Sequence, residues 1–402
     1  MSRSLPWNTR ASPQSNFRRR SSLASQRDRT IVSMNFAWSG PSSDTTASKE
    51  ESYASRNAMG TGPFVLVSRQ PDSKSVFRKN PDWWGLKETG YFTGNVDEII
   101  YTPVKSDSTR VAALLSGALD FILDPPVQDI DMLRQDRNVR IYDGRENRIM
   151  LFGMDQARAE LLYSNVKGRN PFKDKRVRQA FYQAIDAEAI KRVVMRGLSV
   201  PTAIALHASP VYLPADMDKR YPVDLVAAKR LLADAGYPDG FEITLDCPNN
   251  RYINDEKICV AVAGMLAKIG IAVKVNAMPR AQYFPKMQKL DTSFYLLGFG
   301  VSSTDPFFIL QPVMHSRNQK GDGDFNWGNF ADKALDALID QVAVEMDVGV
   351  RNKLIVDAVK LHHGNVYHLP LHWQVIPWAA RSNVEAIHLP NNYLRAQWVT
   401  IR

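Results

Sequence analysis

Short runs in which apolar and polar residues alternate begin near residue 60, and their period changes repeatedly along the chain. Phe64-Val65-Leu66-Val67 and Ser75-Val76-Phe77-Arg78 have strand length. Turn clusters, Gly60-Thr61-Gly62-Pro63 and Asn80-Pro81-Asp82, set them off. Residues 96–103 (VDEIIYTP) read as a third strand. Residues 108–116 (STRVAALLS) switch to a helical period, with Ser106 or Ser108 as cap and Gly117 as stop. Residues 119–123 then read as a fourth strand. Strand, helix, strand in that order predicts an α/β fold.

The second half repeats the alternation with longer helices. Residues 149–155 (IMLFGMD) form a strand that leaves the first unit. Asp174 caps a helix whose one face carries Val177, Ala180, Phe181, Ala184 and Ile185. Helices follow at 225–235, closed by Gly236 and Pro238, and at 255–269, stopped by Gly270. Strands are predicted at 241–245, 271–275 and 293–298, with a short helix at 283–290. Amphipathic helices at 331–344 and 350–362 precede a long strand, 366–378. No fixed repeat period appears.

Composition refines this picture. The 402 residues are 44% hydrophobic and 23% charged, which describes a globular chain of two or three domains. No apolar run is long enough to span a membrane. Net charge is +9, but seven arginines against Asp28 lie within residues 1–30. The rest is nearly neutral and has no basic stripe interleaved with aromatics, so nucleic acid is not an expected partner. The Arg/Ser-rich start has no apolar core of a secretory signal. Its composition suits a disordered or foreign tail, or an organelle transit peptide. Cys247 and Cys259 read as two inert buried thiols rather than one bridge.

Specific blocks carry a family resemblance. They are Gly60-Thr61-Gly62-Pro63-Phe64, Lys79-Asn80-Pro81-Asp82-Trp83-Trp84-Gly85, Val96-Asp97-Glu98-Ile99-Ile100 and the stretch from Thr109 to Gly117. Asp174-Lys175-Arg176-Val177-Arg178-Gln179-Ala180 and Ala184-Ile185-Asp186 follow in order. Together they resemble the extracytoplasmic solute-binding proteins of ABC transporters, in the dipeptide, oligopeptide and nickel-binding family (family 5), over roughly residues 31–402. Most of these residues serve the fold: Gly62-Pro63 sets a turn, Trp83 and Trp84 cover the sheet, and Arg178 can pair with Asp174 one turn away.

The resemblance implies a periplasmic-binding-protein-like (type II) fold of two lobes. Only 59 residues precede the Gly-Thr-Gly-Pro block, so the first lobe is expected to be incomplete, with exposed sheet edges. The expected division is a tail at 1–30, partial lobe one at 31–148, lobe two at 149–377 and a return to lobe one at 378–402. The implied role is capture of a peptide or small-molecule solute in the periplasm by a monomer serving ABC permease and ATPase subunits, with no cofactor. A non-functional fragment and a nickel or other small-solute binder are the alternatives.

By resemblance, the loop after strand 293–298 lines the cleft. Relatives place an aspartate four residues before Pro306, to pair with a peptide ammonium; here Ser302 stands there, with Asp305 nearby. The loop of Asn249, Asn250, Arg251 and Tyr252 ends a strand, where open α/β sheets bind ligands. Arg251 or Arg280 can fork a carboxylate, and Tyr283, Phe299 and Trp327 can supply apolar walls.

Other chemistry is set aside. The acidic run Asp322-Gly323-Asp324-Phe325-Asn326 starts like a calcium loop but has Trp327 where Gly belongs and Lys333 where Glu belongs. His368 and His372 lie on a predicted strand, about 13 Å apart at 3.3 Å per residue, too far for one metal. His362 and His363 sit at a helix C-terminus, which favours a positive imidazole. No metal site is expected. Neither GxSxG, P-loop nor HExxH occurs, so no enzyme is expected and ATP hydrolysis falls to partner subunits.

Overall fold

The structure, a computed structural model, describes residues 30–32, 58, 60–88, 90–206 and 213–402. Apart from Thr30, the Arg/Ser-rich start lies outside these residues. The strands β1 (Thr30–Val32), β2 (Phe64–Gln70), β3 (Lys74–Lys79) and β4 (Glu98–Tyr101) form one sheet in the order β1-β4-β3-β2. β2 is an edge of this sheet, and its Val65 and Val67 are exposed. The helix Asp107–Ser116 follows. Ser106 Oγ accepts from the Thr109 N–H at 3.4 Å, and Gly117 ends the helix at φ 77°.

A second sheet spans both lobes. It contains β5 (Phe121–Leu123), β6 (Val139–Met154), β7 (Ser199–Pro201), β8 (Phe241–Pro248), β9 (Ile271–Met278), β10 (Phe294–Gly300) and β11 (His368–Arg381). Their order is β5-β11-β6-β10-β8-β9, with β7 also on β11. β8 and β9 are parallel, as expected for strands joined through the crossover helix Asp255–Ala267. β6 and β11 are long and antiparallel, paired from His368–Gly153 to Arg381–Val139. At one end β11 carries β5; at the other, β6 carries β10. Two strands therefore run unbroken between the lobes, and the expected boundaries at 148/149 and 377/378 fall inside them.

The continuous apolar run of residues 149–154 has a simple cause: both faces of the sheet are covered. Met150, Phe152 and Met154 join Phe294 and Leu296 in one core, with Phe172, Phe181 and Phe241. Ile149 and Leu151 join Tyr295 and Leu297 in the other, with Tyr283, Trp327 and Ile355. The period of two sends alternate side chains to opposite cores. After β11 the chain forms β12 (Val384–Glu385) and β13 (Thr400–Ile401), and packs Leu394 and Val399 against Val96, Phe121 and Trp378 of lobe one.

Several local expectations need correction. Arg178 does not pair with Asp174. Asp174 instead pairs with Arg176 at 2.6 Å and accepts its backbone N–H. Arg178 is buried and donates to the carbonyls of Phe172, Lys173, Asn365 and Val366 at 2.7–3.1 Å. Burial pushes its pKa down to about 10. Trp83 is buried, but Trp84 is 56% exposed and stacks edge-on with Tyr91. Cys247 and Cys259 are joined in a disulfide, not free. The last turn of β8 and the first turns of helix Asp255–Ala267 face each other, which their spacing alone does not disclose. His362 and His363 are held down by burial rather than raised by the helix end. His362 Nε2 lies 2.9 Å from His368 Nδ1, and His372 is fully buried.

Candidate functional site: a charged pocket at the hinge

The register between β6 and β11 shifts twice, and the larger shift lies near the middle of the pairing. Trp373 faces Ile149 and Val375 faces Arg145, so two steps on β11 span four on β6. Glu146, Asn147 and Arg148 thus stand opposite the single residue Gln374, two residues in excess. Bulges re-aim side chains, and this one turns Glu146 and Arg148 toward the cleft. The backbone of Asn147 touches both lobes. Its N–H donates to Pro390 O at 2.7 Å, and its carbonyl accepts from Val301 N–H at 3.0 Å.

A pocket of about 240 Å³ opens here. Glu146 and Arg148 come from the hinge, Arg251 and Tyr252 from the loop after β8, and Phe299 to Ser302 from the end of β10. Phe284 and Phe325 add apolar wall, and Asn391 and Tyr393 reach in from the C-terminal segment. A larger depression, about 720 Å³, lies between Lys167, Glu242 and Lys274 at the free edge of β9, away from the hinge.

The charges inside the pocket differ in how they are used. Glu146 is buried. Its Oε2 accepts from Arg148 Nε at 2.9 Å and from Gln374 Nε2 at 2.8 Å. Arg148 also donates to Gly298 O at 3.1 Å. Burial opposes its charge, but the Glu146 carboxylate, with Tyr252 and Asp124 adding to it, outweighs burial and holds its pKa above the ordinary value. Arg251 differs. Its guanidinium lies 5.1 Å from the Tyr252 ring, and among the described residues it has no carboxylate within ion-pair distance. Burial lowers its pKa, and the nearby positive Arg148 lowers it further.

The backbone explains how these groups fit together. Asp255 caps the loop: its carboxylate accepts from the N–H groups of Arg251, Tyr252 and Glu256 at 2.9–3.0 Å. Burial nevertheless raises its pKa. Asn254 takes a left-handed φ of 54° to enter the helix. Two glycines of β10 leave room for the cluster. A Cβ on Gly298 would lie 2.5 Å from the Tyr252 ring, and one on Gly300 would lie 2.8 Å from the Arg148 guanidinium.

Of the nine residues singled out from sequence, Arg251, Tyr252, Phe299 and Ser302 line this pocket. Asn249 is exposed beside the loop and donates its N–H to Met278 O. Arg280 is exposed at a helix start, where its N–H donates to Asn250 Oδ1. Tyr283 and Trp327 belong to the lobe-two core. The Tyr283 hydroxyl donates to Leu296 O at 2.6 Å. Asp305 serves its turn, accepting from Phe307 N–H and pairing with Arg351 at 3.0 Å. Glu146 and Arg148 lie in a polar stretch whose lack of alternation does not read as a strand, and Gln374, inside the predicted strand 366–378, carries no signal of a site. Asn391 and Tyr393 carried no signal. Among the described residues no group of three His, Cys, Asp or Glu side chains can hold a metal ion, and no helix is long and apolar enough to cross a membrane.

Two α/β lobes joined by paired continuous strands, with a charged and aromatic pocket where they cross, define the solute-binding class of protein. Residues 21–321 match the family described as bacterial extracellular solute-binding proteins, family 5 Middle. The chain belongs to that family. Heme-binding protein A of Haemophilus influenzae is 26% identical over 81% of this chain and 56% of its own length. Glutathione-binding protein GsiB of Escherichia coli is 24% identical over 85% of this chain and 62% of its own. The chain thus spans about three fifths of these relatives. In fold it is similar to the Helicobacter pylori periplasmic binding protein DppA in complex with peptide STSA, with a TM-score of 0.70 and 21% identity over 85% of this chain and 63% of that one. NikA from Staphylococcus aureus, in complex with Ni(L-His)2, gives a TM-score of 0.69 at 21% identity, over 89% of this chain and 72% of that one.

Proposed function

We propose that this chain captures a carboxylate-bearing peptide or peptide-like solute in the hinge pocket. It would deliver that solute, on the periplasmic side, to the permease and ATPase subunits of an ABC importer. The observation that carries this reading is Arg251, a part-buried guanidinium with no ion-paired acid among the described residues. Burial and Arg148 both penalise its charge, so an arriving carboxylate relieves two costs at once and gains a forked hydrogen bond. Tyr252, Phe299 and Phe325 would flank the apolar part of the solute. The names of two relatives point the same way, since glutathione and peptides both carry carboxylates.

Capture is closure of the lobes about β6 and β11, a hinge transition without a bond made or broken. Ser302 lies at the pocket with a neutral hydroxyl, so it offers a solute ammonium a hydrogen bond and no ion pair. The test is unfolding of the purified full chain with a pool of short free-acid peptides and with the same pool amidated at the C-terminus. A single-site ligand at 100 times its Kd adds about 2.7 kcal/mol. The free acids are expected to stabilise and the amides not. Equal effects from both pools, or none from either, would overturn the reading.

A further inference from the structure

The loop that presents Arg251 and Tyr252 belongs to no strand or helix, and something must hold it. Four polar contacts contribute. The Asp255 carboxylate takes the N–H groups of Arg251 and Tyr252. Ile253 N–H donates to Gln374 Oε1 at 3.3 Å, and Asn254 Nδ2 donates to Val194 O at 2.8 Å. Beneath the loop lies one covalent tie. Cys247, next to last in β8, is bonded to Cys259, five residues into the helix Asp255–Ala267. The two are 12 apart in sequence, and every residue of the loop lies between them. Both cysteines are fully buried in the lobe-two core.

We propose that the Cys247–Cys259 disulfide is a positioning element of the pocket, holding Arg251 and Tyr252 where they meet solute. The inference rests on the reading of the pocket as the capture site, but its test needs no solute. With strand end and helix start joined, the loop cannot spread, and Asp255 stays beneath the two amides it holds. Without the bond, those amides depend on Asp255 alone, and burial already disfavours that carboxylate's charge. Forming the bond takes two electrons and two protons from the thiols; a disulfide-bearing oxidant accepts them by thiol–disulfide exchange and is itself reduced to a dithiol.

The experiment is hydrogen–deuterium exchange on the ligand-free full chain, wild type against Cys247→Ala/Cys259→Ala, well below both melting temperatures. Alkylation in denaturant without reductant, followed by mass measurement, comes first and is expected to find no free thiol in the wild type. The amides of Arg251 and Tyr252 are expected to exchange at least tenfold faster in the variant, with β6 and β10 unchanged. If the variant does not melt cooperatively, the comparison passes to wild type reduced with a phosphine and then reoxidised. There the gain is expected on reduction and its reversal on reoxidation. Two alkylatable thiols in the untreated chain would overturn the proposal. So would unaltered exchange at Arg251 and Tyr252, or an increase spread evenly over lobe two, which marks a clip that only stabilises.

Discussion

Replacing Glu146 by Gln separates folding from binding. The Glu146 carboxylate receives hydrogen bonds from Arg148 at 2.9 Å and Gln374 at 2.8 Å. The side chains of the Arg148–Glu146 pair are only 14% and 7% exposed, so solvent screens the pair little. Breaking a buried pair by removing one partner costs about 3–5 kcal/mol. The glutamine carbonyl still accepts one of the two bonds, which returns about 1 kcal/mol. The expected loss is about 2–4 kcal/mol, and at roughly 2 °C per kcal/mol for a large chain the melting temperature falls by about 4–8 °C. Binding moves the other way. A solute carboxylate at Arg251 is repelled by Glu146, and at an effective dielectric of 20 and about 8 Å that repulsion is on the order of 2 kcal/mol. The variant is therefore expected to bind the free-acid pool at least tenfold more tightly than wild type. Titration calorimetry and thermal unfolding read the two effects separately. A variant as stable as wild type, or one that loses pool binding along with stability, would refute the reasoning.

Three further predictions follow from single contacts. Arg178→Ala strips donors from four carbonyls, each costing about 1 kcal/mol or more, so the unfolding free energy from urea titration is expected to drop by about 4 kcal/mol. A drop under 1 kcal/mol would show that water replaces the guanidinium. Gly298→Ala drives a methyl into the Tyr252 ring; about 1–3 kcal/mol of stability and most of the pool affinity should be lost, whereas wild-type affinity would show that Tyr252 moves without consequence. Burial pushes His368 and His372 down to about 3, so in the folded chain both stay neutral where the unfolded chain protonates them near 6.5. The unfolded state then binds more protons, and stability falls with pH from about 6.5 toward 3, at about 1.4 kcal/mol per unit for each histidine. His372→Leu removes one of these protonations and is expected to flatten the curve by about that slope; an unchanged slope would contradict the assignment.

What the sequence disclosed follows from local physics. Caps at Ser106 and Asp174 and the stops at Gly117 and Gly270 depend on neighbours within a turn, and those elements lie where their residues predict. The continuous apolar run over 149–154 marks the core half of β6. Its other half, 139–148, has five charged residues and hides its pairing, because that pairing is made with β11 more than two hundred residues away. The pocket divides the same way. Arg251 and Tyr252 follow a strand, a position where ligands are expected, and Phe299 and Ser302 come from the loop that the family resemblance singled out. Glu146, Arg148 and Gln374 acquire their places only through a register break between distant strands. Tyr283 and Trp327 resemble pocket walls in sequence, yet an aromatic beside a binding loop has the same composition as one in the core under it. Arg178 shows the converse: a charge one turn from Asp174 invites an ion pair, while in the structure it donates to two nearby carbonyls and two at a distant helix end.

The central claim is that Arg251 captures the carboxylate of a solute between the lobes, and one variant addresses it directly. Arg251→Gln keeps a polar side chain, and its unliganded melting temperature is expected to match wild type within about 1 °C, because the guanidinium has no ion-paired acid to lose among the described residues. Its affinity for the free-acid peptide pool, measured by titration calorimetry beside wild type, is expected to fall by at least thirtyfold, about 2 kcal/mol. Undiminished affinity in a folded variant would place the capturing group elsewhere and contradict the account.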